Sequence, residues 1–478
     1  MIRSHRVLFT CAVLVLSIGF APSRVAAAES SLAEKLLTRL PDDVLGFATT
    51  SGGDALKPAF EKAIVGRIWY DPGVQSFFQA IKTEVLAKIE REMHDKDAVK
   101  TVDAVRNYVR LALARPIIAG AAQKPATEGP PIYGFVILDA GSRKADIAAA
   151  LTQLETLAAD EIIEVTIGSV KMHGPKDSGG VPVYWGWAGD YLVVAANDGA
   201  GLAMQHISTP RNAPIAQFDK VPDTGDAIAV HVDYRKIASV VSTLARQRGH
   251  EEQVEIATAV IKQLGLNNVK TLTARMGFDG PDIVGNSFIE APQPRTGLLA
   301  NYKTVDLAMF DMVDAGAVNA TAMNCSVAGI YDTIMGAVKS AAGDEFAEIE
   351  KVIADAEAEM KIKIRGGLLQ SLSGEIVGYA LPGGSMQSPA GGFVLIAKLK
   401  DARLLEETLT ALGKFAAEKS DGMVQVSSQI QNGRTVHTWG VMALAMAQIM
   451  PTWTVVGDKL VVASNPQFCS RAVDQLSS

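Results

Sequence analysis

Few residues in this 478-residue chain have the types and spacing that chemistry needs. Beyond residue 28 there are six histidines: His94, His173, His206, His231, His250 and His437. An imidazole serves as a metal ligand or general base near neutral pH, but only with converging partners. No spacing here supplies them. Only His173 and His437 occupy comparable places, each on the strand before a tryptophan-bearing hairpin. That reads as two sheet-face residues repeated with their surroundings. Asp279, Asp282 and Asp311 lack the order of a calcium loop. The chain has no G-x-x-x-x-G-K-[ST], no G-x-G-x-x-G after a strand, no G-x-S-x-G, no H-E-x-x-H and no C-x-x-C. Catalytic groups need only meet in space, so these absences remove signals and not the enzyme class. The reading leans to a non-catalytic protein, with no catalytic or metal residue assigned and no cofactor expected.

Aromatic and sulfur side chains offer the binding candidates. Trp185 and Trp187 lie two apart on one strand and so share a face of the sheet. Such a pair makes a sugar or peptide platform, although large core side chains are the commoner role. Trp453 repeats the Trp185 position, while Val455 replaces Trp187. Met442, Met446 and Met450 stand in Trp439–Met450, an apolar insert that reads as a packing helix or a partner-binding flap. The acids of 344–359 lie opposite an apolar stripe of Phe346, Ile349, Val352, Ile353, Ala356 and Met360, which reads as a solvated helix face. Cys325 and Cys469 allow one disulfide or two buried thiols.

The N-terminus has the pattern of a signal peptide. Arg3 and Arg6 precede an apolar run, Val7 to Phe20, that is too short for a membrane span of about 20 residues. Ala26-Ala27-Ala28 then offers a cleavage site. Cys11 lies within the apolar run, which argues against a lipoprotein. The expected location is periplasmic or extracellular, with no transmembrane helix after cleavage. Losing Arg3, Arg6 and Arg24 takes the formal charge from −7 to about −10, which disfavours nucleic acid and anionic lipid as partners.

A repeat organises the rest. Trp185–Asn197 matches Trp453–Asn465 at eight of thirteen positions, and Gly134–Leu138 resembles Gly392–Ile396. Offsets of 268 and 258 leave ten extra residues in the second copy. The segments around them read as 1–28 signal peptide, 29–131 strand-helices-strand, 132–210 repeat copy one, 211–296 and 297–390 two further strand-helices-strand modules, and 391–478 copy two. Within copy one the pattern reads β-α-β-β-β-α, with Ile162–Met172 as one strand, which suits an antiparallel sheet with helices on one face. In the first module Val74, Phe77, Phe78, Ile81, Val85, Leu86, Ile89 and Met93 fall at helical spacing and predict a buried stripe. The fold class is α+β: mainly antiparallel curved sheets backed by helices, with an internally duplicated module.

Leu40-Pro41-Asp42-Asp43-Val44-Leu45-Gly46-Phe47, Gly66-Arg67-Ile68-Trp69-Tyr70-Asp71-Pro72, Leu369–Leu381 and the two Gly-Asp-x-Leu-Val-Val-Ala hairpins together resemble a family of secreted bacterial proteins of unknown function built from repeated modules. The resemblance implies a non-cytoplasmic α+β protein and brings no catalytic residues. The expected role is binding a partner or ligand, such as an envelope protein or glycan. The rivals are a cell-envelope hydrolase with an unrecognised site and a structural subunit of a secreted assembly. N-terminal sequencing of the exported protein should begin at Glu29; a chain still starting at Met1 would make the segment an anchor.

Overall fold

The computed structural model describes residues 32–477 apart from 42, 93–95, 125–131, 168–169, 178–179, 198, 209–217, 383–390, 432, 442–443 and 445–448. The signal pattern, Met93, His94, Met442 and Met446 therefore lie outside the described residues, as do the side chains of Val85, Leu86 and Ile89. The chain divides into two compact units. One comprises residues up to Gly249 with Val269–Ala291, the other His250–Asn268 with Pro292–Ser478. The α+β class holds in both.

The first unit runs α1 (Leu32–Leu37), β1 (Val44–Thr50), α2 (Gly53–Lys62), α3 (Ile64–Trp69), α4 (Pro72–Glu92), α5 (Lys96–Leu113), β2 (Ile117–Gln123), β3 (Ile132–Asp139), α6 (Lys144–Leu157), β4 (Ile162–Ile167), β5 (Val170–Pro175), β6 (Val183–Ala188), β7 (Tyr191–Ala196), α7 (Gly199–Ser208), β8 (Ile228–Asp233), α8 (Tyr234–Gln247), β9 (Thr271–Asp279) and β10 (Asp282–Glu290). Its sheet has the order β10-β9-β8-β1-β2-β3-β7-β6-β5-β4, antiparallel throughout. The β6–β7 hairpin closes on Ala188↔Tyr191, and Gly189 between them has φ 60°, a conformation open to glycine.

The second unit holds α9 (Glu251–Gln263), β11 (Asn319–Asn324), α10 (Val327–Ala342), α11 (Phe346–Met360), β12 (Leu372–Leu381), β13 (Gly392–Leu399), α12 (Ala402–Lys419), β14 (Val424–Gln431), β15 (Arg434–Val441), β16 (Thr452–Val456), β17 (Lys459–Ala463) and α13 (Pro466–Ser477). The sheet order is β11-β12-β13-β17-β16-β15-β14. Ser326 and Asp401 cap α10 and α12 by accepting from backbone N–H groups of their first turns.

Four expectations change. First, helices cover both faces of each sheet, not one. Leu138, Trp185 and Leu192 pack with Ile147, Ala150 and Leu151 of α6, whereas Ile137, Val193 and Ala195 pack with Ala200, Ala203 and Met204 of α7. The continuous apolar run Leu192-Val193-Val194-Ala195 carries that signal, since a strand with one wet face alternates. Second, Ile162–Met172 is not one strand. It belongs to a hairpin paired from Ile167↔Val170 outward, and Gly168-Ser169 is the turn signal in the sequence. Third, the two Gly-Phe-Val matches are out of step. Phe135 pairs with Ala195, but Val394 rather than Phe393 pairs with Ala463. A one-residue slip reverses faces, so Phe135 is buried and Phe393 exposed. Fourth, the stripe on α4 is not buried: Phe77 is 62%, Phe78 44% and Ile81 44% exposed. On α11, Val352 is likewise 67% exposed, while Phe346 alone of its stripe is fully buried. Glu357 there turns to serve the chain beyond the helix, accepting from Ile364 N at 2.8 Å and from Lys363 Nζ at 2.9 Å.

The buried charge in the first unit is a clamp. Arg275 on β9 donates from Nε and Nη2 to the two carboxylate oxygens of Asp226, at 2.8 and 2.9 Å, and Nη2 lies 2.7 Å from Asp223. Both Arg275 and Asp226 are buried. The guanidinium also lies over Phe218, and Asp226 holds φ 46°, which Asn tolerates as Asp does. This bidentate pair fixes the segment leading into β8. Asp226→Asn keeps the shape and backbone tolerance but removes the charge. It should lower the urea-unfolding free energy by about 2–4 kcal/mol, and adding Arg275→Met should recover part of that loss. A neutral single variant would show the pair to be idle.

Candidate functional site

The residues that sequence marked for binding fall in different settings. Trp185 is a core side chain beneath α6. Trp187 packs half-buried beside it, with Lys144 Nζ 5.8 Å from its ring centre. Met450 is exposed at the foot of β16, its N–H bonded to the Ser464 carbonyl. Cys325 and Cys469 are free buried thiols. Burial pushes the Cys469 thiol up to about 12, so it stays protonated and unreactive at neutral pH.

His173 does find a carboxylate, which sequence reading had not singled out. On α6, Glu155 follows the buried Ile147, Ala150, Leu151 and Leu154 and turns toward the sheet. Its Oε1 accepts from His173 Nδ1 and from Trp185 Nε1, both at 2.7 Å. His173 and Trp185 are direct cross-strand partners and meet edge to face at 6.2 Å. Tyr108 of α5 lies close by; burial first, and then the Glu155 charge, raises its phenol to about 12. The carboxylate holds the ring proton on Nδ1. Such a pair can hold or pass a proton, but general-base catalysis also needs a substrate seat and a reacting group within reach. Glu155 instead satisfies the buried indole. The neighbouring ion pair, Lys171 with Glu164 at 2.7 Å, is exposed.

Other polar groups are similarly engaged. A cleft of about 390 Å³ between α5 and α6 is lined by Asn107, Arg110, Arg143, Asp146 and Gln153 over Leu111 and Ala150. Arg143 is bound to Asp54 at 2.7 Å, and Arg110 donates to Asn107 at 3.0 Å. Among the described residues no three His, Cys, Asp or Glu side chains are grouped to hold a metal ion. No helix among them is long and apolar enough to cross a membrane.

The second unit carries a variant of the His–Trp pair. His437 and Trp453 are again cross-strand partners, but their rings stack at 4.0 Å and 12°. His437 Nδ1 lies 2.8 Å from Ser428 Oγ. The Glu406 carboxylate stands 3.8 Å from Nε2, beyond hydrogen-bond reach.

An unspent apolar surface lies on α3 and α4. Ile64, Ile68, Trp69, Tyr70, Phe77, Phe78 and Ile81 are all exposed. Trp69 and Phe78 meet at 5.0 Å, and Phe77 and Phe78 at 5.7 Å, so the aromatics form one patch. Asp71 builds the corner: its Oδ1 accepts from Gly73 N and Val74 N while Pro72 opens α4. On the inner side Phe60 contacts both Tyr70 and Phe278, which seats the corner against β9. Isolated exposed apolar residues are ordinary; a contiguous aromatic patch marks an interaction surface. Helical spacing announced the stripe but not whether anything covers it.

No family model, curated protein or solved structure matches the chain.

The buried histidines set an acid limit. Burial lowers His206 and His231 in the first unit and His437 in the second; nearby carboxylates oppose this only in part. Each is therefore harder to protonate folded than unfolded. Stability should be level above about pH 6.5, and fall as pH drops below it, because the unfolded chain gains protons first. Urea midpoints between pH 7.5 and 5 check this sign. A midpoint that rises on acidification would contradict it.

Proposed function

We propose that this chain is a non-catalytic protein of the cell-envelope compartment that works by protein contact through the α3–α4 patch, its partner there being a second copy of the same patch. The carrying observation is the patch itself: seven large apolar side chains between residues 64 and 81 are exposed. Export rests on the leader pattern of residues 1–28. The absence of catalytic sequence motifs supports the non-catalytic reading, and so does the engagement of Glu155, Arg143 and Arg110 with partners of their own.

Area and charge favour a second copy. Half-exposed aromatic and branched side chains leave roughly 80–100 Å² each to cover, which gives on the order of 600 Å² per copy for the patch. A two-fold contact would bury about 1,200 Å² in all, the lower edge of stable interfaces. A two-fold contact also requires a surface complementary to itself. Arg67 and Asp71 flank Trp69 and Tyr70, both are exposed, and neither has an ion-pair partner among the described residues. In a two-fold arrangement the Arg67 of one copy would meet the Asp71 of the other. The patch centre is aromatic and uncharged, as interface cores are.

The mature chain, from Glu29, should sediment as a dimer at micromolar concentration. Phe77→Ser with Phe78→Ser should sediment as a monomer with unchanged far-ultraviolet circular dichroism. Arg67→Asp should weaken the dimer, and so should Asp71→Asn, which keeps the cap on α4 and removes the charge. A native chain that stays monomeric across the micromolar range would overturn the self-contact. Equal dimerisation of the double serine variant would place the contact elsewhere.

A further inference from the structure

The two His–Trp pairs differ in one way that points to a ligand. On α6 the inward face is Ile147, Ala150, Leu151 and Leu154, followed by Glu155. On α12 the same spacing recurs 258 residues later: Leu405 and Thr408 are buried and Leu409 packs on the same cluster. At that spacing Gly413 falls where Glu155 stands. The second unit has no acid at that position, and its nearest carboxylate, Glu406 on α12, stands 3.8 Å from His437 Nε2, but the groups that Glu155 serves recur.

Each of those groups keeps one nitrogen without a hydrogen bond among the described residues. Trp453 and His437 are 5% and 6% exposed. Trp453 Nε1 and His437 Nε2 are buried without a hydrogen bond. Trp439 Nε1 is a third such atom, and a Cβ on Gly413 would stand 3.2 Å from it. Trp439 lies two residues after His437 on β15 and so shares its face, the one α12 covers. The Glu406 carboxylate on the Nε2 side favours the ring proton on that nitrogen, and in that tautomer the Ser428 hydroxyl donates to Nδ1. All three unpartnered atoms are then N–H donors. The Glu406 side chain is 44% exposed and stays outside hydrogen-bond reach.

Buried donors without acceptors are rare and mark a missing partner. Three donors call for a group that only accepts. A carboxylate offers two oxygens and about four lone-pair sites, whereas a neutral carbonyl offers half that. Glu155 shows the chemistry within the same chain, taking an indole and an imidazole N–H on one oxygen. We propose that the second unit binds an external carboxylate beneath α12, at Trp439, Trp453 and His437, in the place that Glu155 fills in the first unit. The carboxylate is that of a small organic acid or of an acidic side chain on a peptide.

The test reads the indole N–H signals of the mature protein labelled with ¹⁵N-tryptophan. The chain has five tryptophans, assigned by single Trp→Phe variants. Sodium acetate and N-acetylglutamate N-methylamide are titrated against sodium chloride at matched ionic strength. The Trp439 and Trp453 signals should move together and saturate with a carboxylate, and those of Trp69 and Trp185 should not. The probe that saturates at lower concentration identifies the source. Trp453→Phe keeps the ring on His437 and loses the N–H, so the Trp439 response should weaken by about tenfold or more. Glu155→Gly opens the equivalent place in the first unit, and Trp185 should then respond to acetate. Absence of a saturable shift at Trp439 and Trp453 overturns the site, most plainly if Glu155→Gly does respond. A shift equal in chloride, or linear without saturation, means an adventitious ion only and overturns it too.

Discussion

Both sheets are antiparallel and covered on both faces, and that double covering is the constraint from which the rest follows. Successive residues of a central strand enter different cores. Val193 belongs with α7 and Leu192 with α6; in the second unit Val461 belongs with α13 and Leu460 with α12. Each core therefore depends on register to the single residue. The hairpin turns at Gly189 and Gly457, both at φ 60°, set that register where the central strands reverse. The displaced Gly-Phe-Val match illustrates the stakes. Phe135 fills the α7 core, while the corresponding place in the second unit is taken by the smaller Val394, and Phe393 points out. Phe468 of α13 lies against Gly392, where a Cβ would stand 2.2 Å from its ring, and fills that side of the core.

Covering both faces leaves no water for polar side chains on inner strands, so each needs an internal partner. Arg275 has Asp226 and Asp223, and His231 has Thr273 Oγ1 at 2.9 Å between Phe47 and Phe218. In the second unit Asp314 is bound at both oxygens by Arg471 of α13. That hydrogen bond holds the Asp314 carboxyl below its usual range, and burial opposes it. Each unit thus ties the chain before a strand to a packed element through one bidentate arginine. Arg471 is half exposed, so its pair is screened and weaker than the buried one.

Period two and glycine turns were legible from residues alone: both tryptophan hairpins and the strand placements of His173 and His437 lie where the sequence put them. Features that depend on a second element were not legible. The continuous run at Leu192–Ala195 held the evidence for two covered faces, but β-α-β-β-β-α order suggested one. No local pattern marks Glu155, because only the fold brings Trp185 and His173 to it. The stripe of α4 has the spacing of a buried face, and spacing reports amphipathicity, not what covers it. Arg275 and Asp226 are 49 residues apart, so no local pattern links them.

The division between groups the fold consumes and groups it leaves over bears on function. A carboxylate beside a histidine suggests acid–base work until its second hydrogen bond is counted. Glu155 is committed to the Trp185 indole, whose desolvation would otherwise go uncompensated. The arginines of the α5–α6 cleft are likewise committed. The second unit also pairs a histidine with a tryptophan across strands, but its nearest carboxylate, Glu406, stands 3.8 Å from His437 Nε2 and bonds to neither ring. What the fold leaves unspent includes apolar area at the α3–α4 corner and N–H donors beneath α12. Apolar area is relieved by another surface, and donors by an acceptor. These two deficits are the observations on which the proposed self-contact and the proposed carboxylate site rest.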